Sequence, residues 1–369
     1  MTARPPTRAG GRACAPPGRA LPCDTARALK AVVWQGPNRM EVGEWPRAEL
    51  AEGWVALRPE AAGLCGSEVE GYVGRQPNRR PPLVMGHEVA GVVVEVGPGG
   101  DRSWLGRRAA VNPIISCGAC PLCAAGQRNL CPRRRLIGVH EPGGFAELVR
   151  VPRASLVPLP DGVGPQLGAL VEPLANGVHA AALALAGRPV AGAGAVIGAG
   201  AIGLLALQAI RAASGAEMHV LEPDAGRRAL AGALGAAAGH ATPEDLLAAL
   251  RGRAGGIGAD FVVDAVGRES TRRLAVEAVR PGGRVVLLGL HDDATSLSGH
   301  DLVRREVLVT GSYAYTDADF ARALELLASG AAGIGELPAI QPLEATPALF
   351  ARLAAGPTPE VKLFVAPGA

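Results

Sequence analysis

The chain lacks any run of apolar residues approaching the ~20 uncharged positions that a membrane span needs. Its most apolar stretch, 178–210, is cut by glycine, proline and Arg188, so no membrane partner is expected. Lysine is almost missing, since Lys30 and Lys362 are the only two among 369 residues. The formal net charge of +3 could suggest an acidic partner, but the excess is local. Residues 1–28 hold five arginines (Arg4, Arg8, Arg12, Arg19, Arg27) against Asp24, while the rest carries 32 basic and 33 acidic residues. No basic face for nucleic acid follows. The same 28 residues lack an apolar h-region and do not read as a secretory signal. They are rich in Pro, Arg and Gly and read as a disordered extension or a mis-assigned start, with an organelle-type presequence as the alternative.

What is present is globular in composition, with 48% hydrophobic and 19% charged residues. The length points to two domains. The abundance of glycine and alanine carries no functional weight. Residues 29–175 contain short β-like runs broken by Gly and Pro, beginning with LKAVVWQ and including VAGVVVEVG and FAELVRVP. Helical periodicity is scarce there, which predicts a mostly β domain with long loops. After about Glu172 the texture changes. The apolar strands GAVIGAG, EMHVLEP, ADFVVDAVG, GRVVLLGL and EVLVTGSY alternate with helical stretches at 201–214, 225–234, 243–252 and 268–279. Such alternation predicts βαβ units and a parallel sheet, hence an α/β fold. The last segment returns to short mixed elements that could pack on the first domain.

Seven cysteines occur, at 14, 23, 65, 117, 120, 123 and 131. Cys117, Cys120, Cys123 and Cys131 have the spacing C-x2-C-x2-C-x7-C, with Gly118 and Gly126 allowing tight turns. Thiolates this close can converge on one tetrahedral zinc, and four sulfur ligands make the site structural. An iron–sulfur cluster also accepts four cysteines. The clustering suits a reducing compartment, so a cytoplasmic location is expected. A second group of donors lies in Cys65, His87 and Glu88, with Glu172 as a further candidate. Three mixed ligands leave a position open for water or substrate, as a catalytic zinc requires. Each has a plain reading too: a lone Cys is commonly core, and Glu172 before Pro173 could start a helix.

GAVIGAGAIGLL carries Gly198, Gly200 and Gly203 in G-x-G-x-x-G order, after an apolar strand and ahead of a helical run. That context marks a dinucleotide site, with the pyrophosphate at the helix N-terminus. Nineteen residues past Gly203 stands Glu222, which can bond a ribose 2′-hydroxyl and repel a 2′-phosphate. NAD is therefore expected rather than NADP, although Arg227 and Arg228 follow closely; they also read as solvated helix arginines. Loop 75–80, RQPNRR, could meet an acidic or phosphorylated substrate, and also reads as an ordinary solvated loop.

Together these residues resemble the zinc-containing medium-chain dehydrogenase/reductase family, and within it the polyol branch of sorbitol, butanediol, threonine and sugar-alcohol dehydrogenases. The resemblance runs from about Leu29 to Val365. It rests on CGSE at 65–68, GHEVAGVVVEVG at 86–97, the four-cysteine lobe, GGFAE at 143–147, EPLANGVHA at 172–180, GAGAIG at 198–203, FVVDAVG at 261–267 and RPGGRVVLLG at 280–289. It implies a GroES-like mostly-β catalytic domain at 29–177 with a structural zinc lobe at about 112–135. It further implies a Rossmann domain with a doubly wound parallel sheet at 178–314, and a segment 315–369 that returns to the catalytic domain. By position, Cys65, His87 and Glu172 match ligands of a catalytic zinc, and Glu88 matches the carboxylate that binds it directly or exchanges with water. Ser67 matches the hydroxyl that passes the alcohol proton. Gly198, Gly200, Ala201, Ile202, Gly203, Glu222, Arg227, Val266 and Leu288 match the cofactor contacts.

The resemblance thus implies two zinc ions per chain, hydride transfer between a secondary alcohol (polyol, sugar or cyclitol-like) and NAD, and a homodimer or homotetramer. One position departs. Relatives read C-G-S-D-x-H, where the histidine relays the proton outward; here Glu70 takes that place. A carboxylate has an unperturbed pKa of about 4 against about 6.5 for His, so either burial raises Glu70 or the proton leaves by another route. The alternatives are an NADP(H)-linked ketone or aldehyde reductase, a specialised biosynthetic dehydrogenase with an atypical relay, and a non-catalytic zinc- and nucleotide-binding protein.

Overall fold

A computed structural model of the chain describes residues 28–187, 192–253, 256–356 and 358–369. The extension expected at 1–28 therefore lies, Ala28 apart, outside the described residues. The first half contributes β1 (Leu29–Gly36), β2 (Arg39–Trp45), β3 (Trp54–Gly63), α1 (Gly66–Tyr72), β4 (Leu83–Val84), β5 (Glu88–Val96), β6 (Arg108–Val111), β7 (Ile114–Ile115), α2 (Pro121–Ala124), β8 (Arg135–Leu136), β9 (Val149–Pro152), β10 (Leu156–Pro158) and α3 (Pro165–Leu185). The second contributes β11 (Ala193–Ile197), α4 (Ala201–Ala213), β12 (Glu217–Leu221), α5 (Ala225–Ala233), β13 (Ala238–His240), α6 (Pro243–Arg251), β14 (Ala259–Asp264), α7 (Glu269–Ala278), β15 (Val279–Leu287), α8 (Gly299–Arg305), β16 (Leu308–Gly311), α9 (Asp317–Ala328), β17 (Ile340–Pro342), α10 (Thr346–Ala355) and β18 (Phe364–Ala366).

The short runs of the first half form a sheet in the order β10-β6-β5-β3-β18-β17, with β9 also on β3, and a small sheet β2-β1-β4. The carboxy-terminal strand β18 pairs antiparallel with β3, so the end of the chain closes the first sheet. β11 to β16 form one six-stranded parallel sheet in the order β13-β12-β11-β14-β15-β16. Every residue of β11 is buried, which explains its unbroken apolar run: helices cover both faces of a parallel sheet. The chain order reverses between β11 and β14, and the crevice at that switch point, beyond the strand ends, is where such sheets bind ligands.

Helix α3 was not legible in the sequence, because Pro173 sits inside it and interrupts the pattern that would mark a helix. It runs across the expected division at 177/178. Its apolar residues Leu170 and Leu174 join one core with Leu204 and Leu205 of α4 and Phe320 of α9, while it also packs on β3 and β5. Among the described residues α3 alone has the length and composition to cross a bilayer, yet 67% of that window is buried inside the molecule. It is the helix around which both halves are assembled. At its crossing with α4, Gly177 brings the backbones so close that a Cβ would lie 2.9 Å from the Ala206 nitrogen. Gly177→Ala should therefore lower stability by about 1–3 kcal/mol through overpacking, despite the roughly 1 kcal/mol that alanine gains in helix propensity. A denaturation midpoint at or above that of the parent would contradict this packing.

Candidate active site and metal centres

The two donor turns meet because of strand pairing. β3 and β5 run antiparallel with Gly63 opposite Glu88, so the residues just past one strand and just before the other are neighbours. Cys65 follows β3 and starts α1; His87 precedes β5. Gly63 is required at the crossing, since a Cβ there would lie 2.1 Å from Glu88 Oε2. The ligand atoms of Cys65, His87 and Glu88 all fall within 4.8 Å of one another. Ser67 Oγ donates to Cys65 Sγ at 3.3 Å.

Glu68, on α1 and fully buried, joins the turns. Its Oε1 accepts from Gly86 N–H at 2.7 Å and meets His87 Nδ1 at 2.8 Å, while Oε2 accepts from Cys65 N–H at 3.3 Å. His87 Nδ1 is thereby occupied, which turns Nε2 towards the group. Burial pulls the His87 imidazole down, but the negative charges of Glu68 and Cys65 outweigh it and hold its pKa well above the usual value. For Glu68 burial acts upward, and His87 with Arg79 overcomes it, so its pKa is lowered. The negative groups beside His87, Glu68 and Cys65, are what would draw a cation to the pocket.

The two further carboxylates are tethered differently. Lys362 Nζ lies 2.5 Å from both oxygens of Glu88 and donates to Leu64 O at 3.1 Å, all in the interior. Glu172 is in the middle of α3, not at a helix start. Its Oε1 accepts from Tyr315 Oη at 2.9 Å and from Asn176 at 3.3 Å. It stands outside the close Cys65–His87–Glu88 group, although it is near enough to feel the charges of His87 and Glu88; burial raises its pKa. Glu70 sits a turn beyond Ser67, where Arg75 and His291 face it.

The four other cysteines converge. Cys117 Sγ lies 3.5 Å from Cys131 and 3.9 Å from Cys123, and Cys120 lies 3.5 Å from Cys123. A tetrahedral zinc with ~2.3 Å bonds to sulfur has ligand edges of about 3.8 Å, so the donors fit one ion. The backbone N–H of Ala119 helps pull the Cys117 thiol down to about 6, while against the N–H of Cys123, burial and then the neighbouring sulfurs hold Cys120 up to about 11. Four thiols this close cannot all ionise without a cation among them. The lobe grips the second half of the chain: Arg128 pairs with Asp317 at 2.7 Å, and Asn129 donates to Tyr313 O at 2.8 Å.

At the other wall, β11 ends at Ile197, and the next residue, Gly198, has a φ of +95° that opens the turn. Gly200 precedes Ala201 and Ile202, the first residues of α4. Gly203 passes so near that a Cβ would lie 1.9 Å from Gly198 O. Val266 lies against the same turn. Glu222 follows β12, and its carboxylate accepts from Ala199 N–H at 2.8 Å and Asp224 N–H at 3.0 Å. Arg227 donates to Thr358 O and Arg228 to the carbonyls of Glu222 and Pro223, so both are committed to backbone. Leu288 N–H donates to Asp264 O, and the buried Asp264 side chain accepts from the N–H groups of Val266 and Gly267. Sequence reasoning assigned no role to Glu68, Lys362, Tyr315, Asp264 or His291. Lys362 carried a signal, as one of two lysines and set in an apolar run; Tyr315 carried none.

Comparison with known proteins agrees with both halves. The family model described as "Alcohol dehydrogenase GroES-like domain" matches residues 51–161, and that described as "Zinc-binding dehydrogenase" matches 201–329. L-galactonate-5-dehydrogenase of Escherichia coli K12 is 36% identical over 309 residues, covering 82% of this chain and 88% of its own length. Among solved structures, a zinc-binding dehydrogenase from Sinorhizobium meliloti 1021 bound to NADP superposes with a TM-score of 0.83 at 33% identity, over 92% of this chain and 100% of the other. Galactitol-1-phosphate dehydrogenase from Escherichia coli gives 0.82 at 27% identity, over 92% and 100%.

If Glu68 orients His87 for a metal, its removal should weaken metal binding about ten- to hundredfold, as loss of an outer-shell carboxylate typically does. Transfer of metal to a chromogenic chelator measures this in Glu68→Gln, which keeps the side-chain shape. Unchanged release kinetics in a folded variant would remove Glu68 from the role.

Proposed function

The chain belongs to the zinc-binding alcohol dehydrogenase family, and from that premise we propose that it is an NAD-linked dehydrogenase converting a secondary alcohol of a small polyol, sugar, sugar acid or cyclitol-like substrate to a ketone, and catalysing the reverse reduction. The observation that carries this reading is the meeting of two half-sites. The Cys65–His87–Glu88 group stands where strand pairing brings it, and residues of the cofactor half close on its surroundings: Tyr315 on Glu172 and His291 towards Glu70.

Cys65 and His87, with a carboxylate from Glu88 or Glu172, would hold a zinc ion, which as a Lewis acid lowers the pKa of an alcohol hydroxyl. Cys117, Cys120, Cys123 and Cys131 would hold a second, structural one. Ser67 Oγ, which donates to the Cys65 sulfur, would take the alcohol proton in oxidation and return it in reduction. Glu68 keeps His87 in one orientation. Lys362 restrains Glu88, and Tyr315 with Asn176 restrains Glu172, so neither carboxylate moves without giving up a partner. Glu222 retains free lone pairs for a ribose 2′-hydroxyl and would repel a 2′-phosphate. The engagement of Arg227 and Arg228 with carbonyls supports NAD over NADP; the NADP held by the Sinorhizobium relative keeps the second reading open to test.

The edge strand β16, whose first residue Leu308 is 50% exposed, and Val303 of α8, 78% exposed, suit a second copy of the chain. We assign a homo-oligomer on that ground, and light scattering that returns a monomer mass removes it. The clustered thiols suit the cytoplasm, where they stay reduced.

Zinc-replete protein should reduce NAD with some member of a panel of sugar acids, polyols and simple secondary alcohols, read by the absorbance of the reduced nicotinamide. Silence in both directions with every substrate would sink the reading. Glu222→Ala should weaken NAD binding about tenfold and bring the NAD and NADP affinities together; an unchanged NAD preference would show that another residue sets it.

A further inference from the structure

Glu70 stands where a proton path from Ser67 would leave α1, and the structure places a histidine beside it from the other half of the chain. Glu70 stands one turn beyond Ser67, on the same helix face. Arg75 Nη1 holds its carboxylate at 3.1 and 3.3 Å, and His291 Nδ1 lies 3.6 Å from Oε1. At that distance no hydrogen bond joins the two, so the contact is no latch between halves, and a proton passes from one to the other through a bridging water. His291 is nevertheless held in place. Its loop follows β15, with Leu288 and Gly289 N–H on Asp264 O, Asp292 N–H on Gly267 O, and Glu269 N–H on the Asp292 carboxylate. Gly267 and Gly289 let the two backbones touch: a Cβ on Gly267 would lie 2.2 Å from the Gly289 carbonyl carbon. The histidine side chain is 32% exposed and Glu70 20%, so both reach solvent, the histidine further. The charged groups around it are Glu70, with Arg75 behind it, and on its own side Asp292, Asp293 and Arg272, the last reaching Gly289 O.

We propose that Glu70 and His291 form the outer end of the proton path, with His291 supplied by the cofactor half as the group that hands the proton to water. The proposal rests on the dehydrogenase reading above. For each alcohol oxidised, the O–H bond breaks and its electron pair forms the second C–O bond. The C–H pair leaves as hydride with the nicotinamide cofactor, and one proton must reach solvent. Ser67 accepts that proton at Oγ and releases its own through a bridging water or hydroxyl to Glu70. His291 then takes a proton at Nδ1 and gives one to water from Nε2. Both residues act through Ser67 and are positioning residues of the path, not groups on the reacting atoms.

Kinetics and cross-linking of the full-length, zinc-replete chain test this. His291→Asn, which keeps a polar side chain, should lose about ten- to hundredfold in kcat/KM for oxidation near pH 7, with the loss closing at high pH where hydroxide takes the proton. Added imidazole should restore much of the rate, and Glu70→His in the His291→Asn background should do the same by putting a histidine back on α1. In zinc-replete Glu70→Cys/His291→Cys protein, whose other clustered thiols are shielded by metal, a short bis-methanethiosulfonate should join residues 70 and 291, found as one cross-linked peptide by mass spectrometry. A His291→Asn variant with the parent's rate and pH profile, or no rescue by imidazole, overturns the proposal, as does absence of the cross-link. A parent enzyme silent with every substrate instead overturns the dehydrogenase reading and this path with it.

Discussion

Glu68 sits fully buried on α1 and ties the start of that helix to the turn before β5 through Cys65 N–H, Gly86 N–H and His87 Nδ1. A carboxylate in the interior is tolerated only when its charge and lone pairs are met. Here they are met by the two residues that must converge and by their neighbours. Arg79 completes the balance. It is buried against Glu68, donates to Gly138 O at 2.7 Å, and fits because Gly71 has no Cβ to strike it. Breaking this network would leave an unpaired buried charge, a cost of several kcal/mol, so the donor group is as fixed as the core around it.

The remainder of the site follows from α3. One helix buries its residues against both sheets and carries Glu172 in its middle, so the first half's donors and the second half's Tyr315 are set by the same rigid element. The four-cysteine lobe acts at the same joint. Arg128 and Asn129 hold the segment 313–317, which includes Tyr315. A metal in the lobe would thus stiffen the support of Glu172 without touching substrate.

Much of this was legible in the residues. The strands β11, β12, β14, β15 and β16 and the helices α4 to α7 fell within a few residues of their places, because buried parallel strands read as continuous apolar runs, whereas the short edge strand β13 and the helix α8 carry no such run and were not read. The cysteine lobe was legible because its ligands are close in sequence. The partners of the second group were not, because they come from remote segments: Lys362 reaches Glu88 across 274 residues and Tyr315 reaches Glu172 across 143. Spacing has no access to such pairs. Helix α3 was hidden by Pro173, and the departure at Glu70 was visible, but not its neighbour His291.

We propose that the chain holds two metal ions by two kinds of site, one of four sulfurs and one of mixed donors. Native mass spectrometry of the chain and of Cys65→Ala, each purified with zinc, tests it most directly. The account predicts about two zinc ions per parent chain and about one in the variant. One zinc in both proteins, with the four-cysteine lobe loaded, would contradict it.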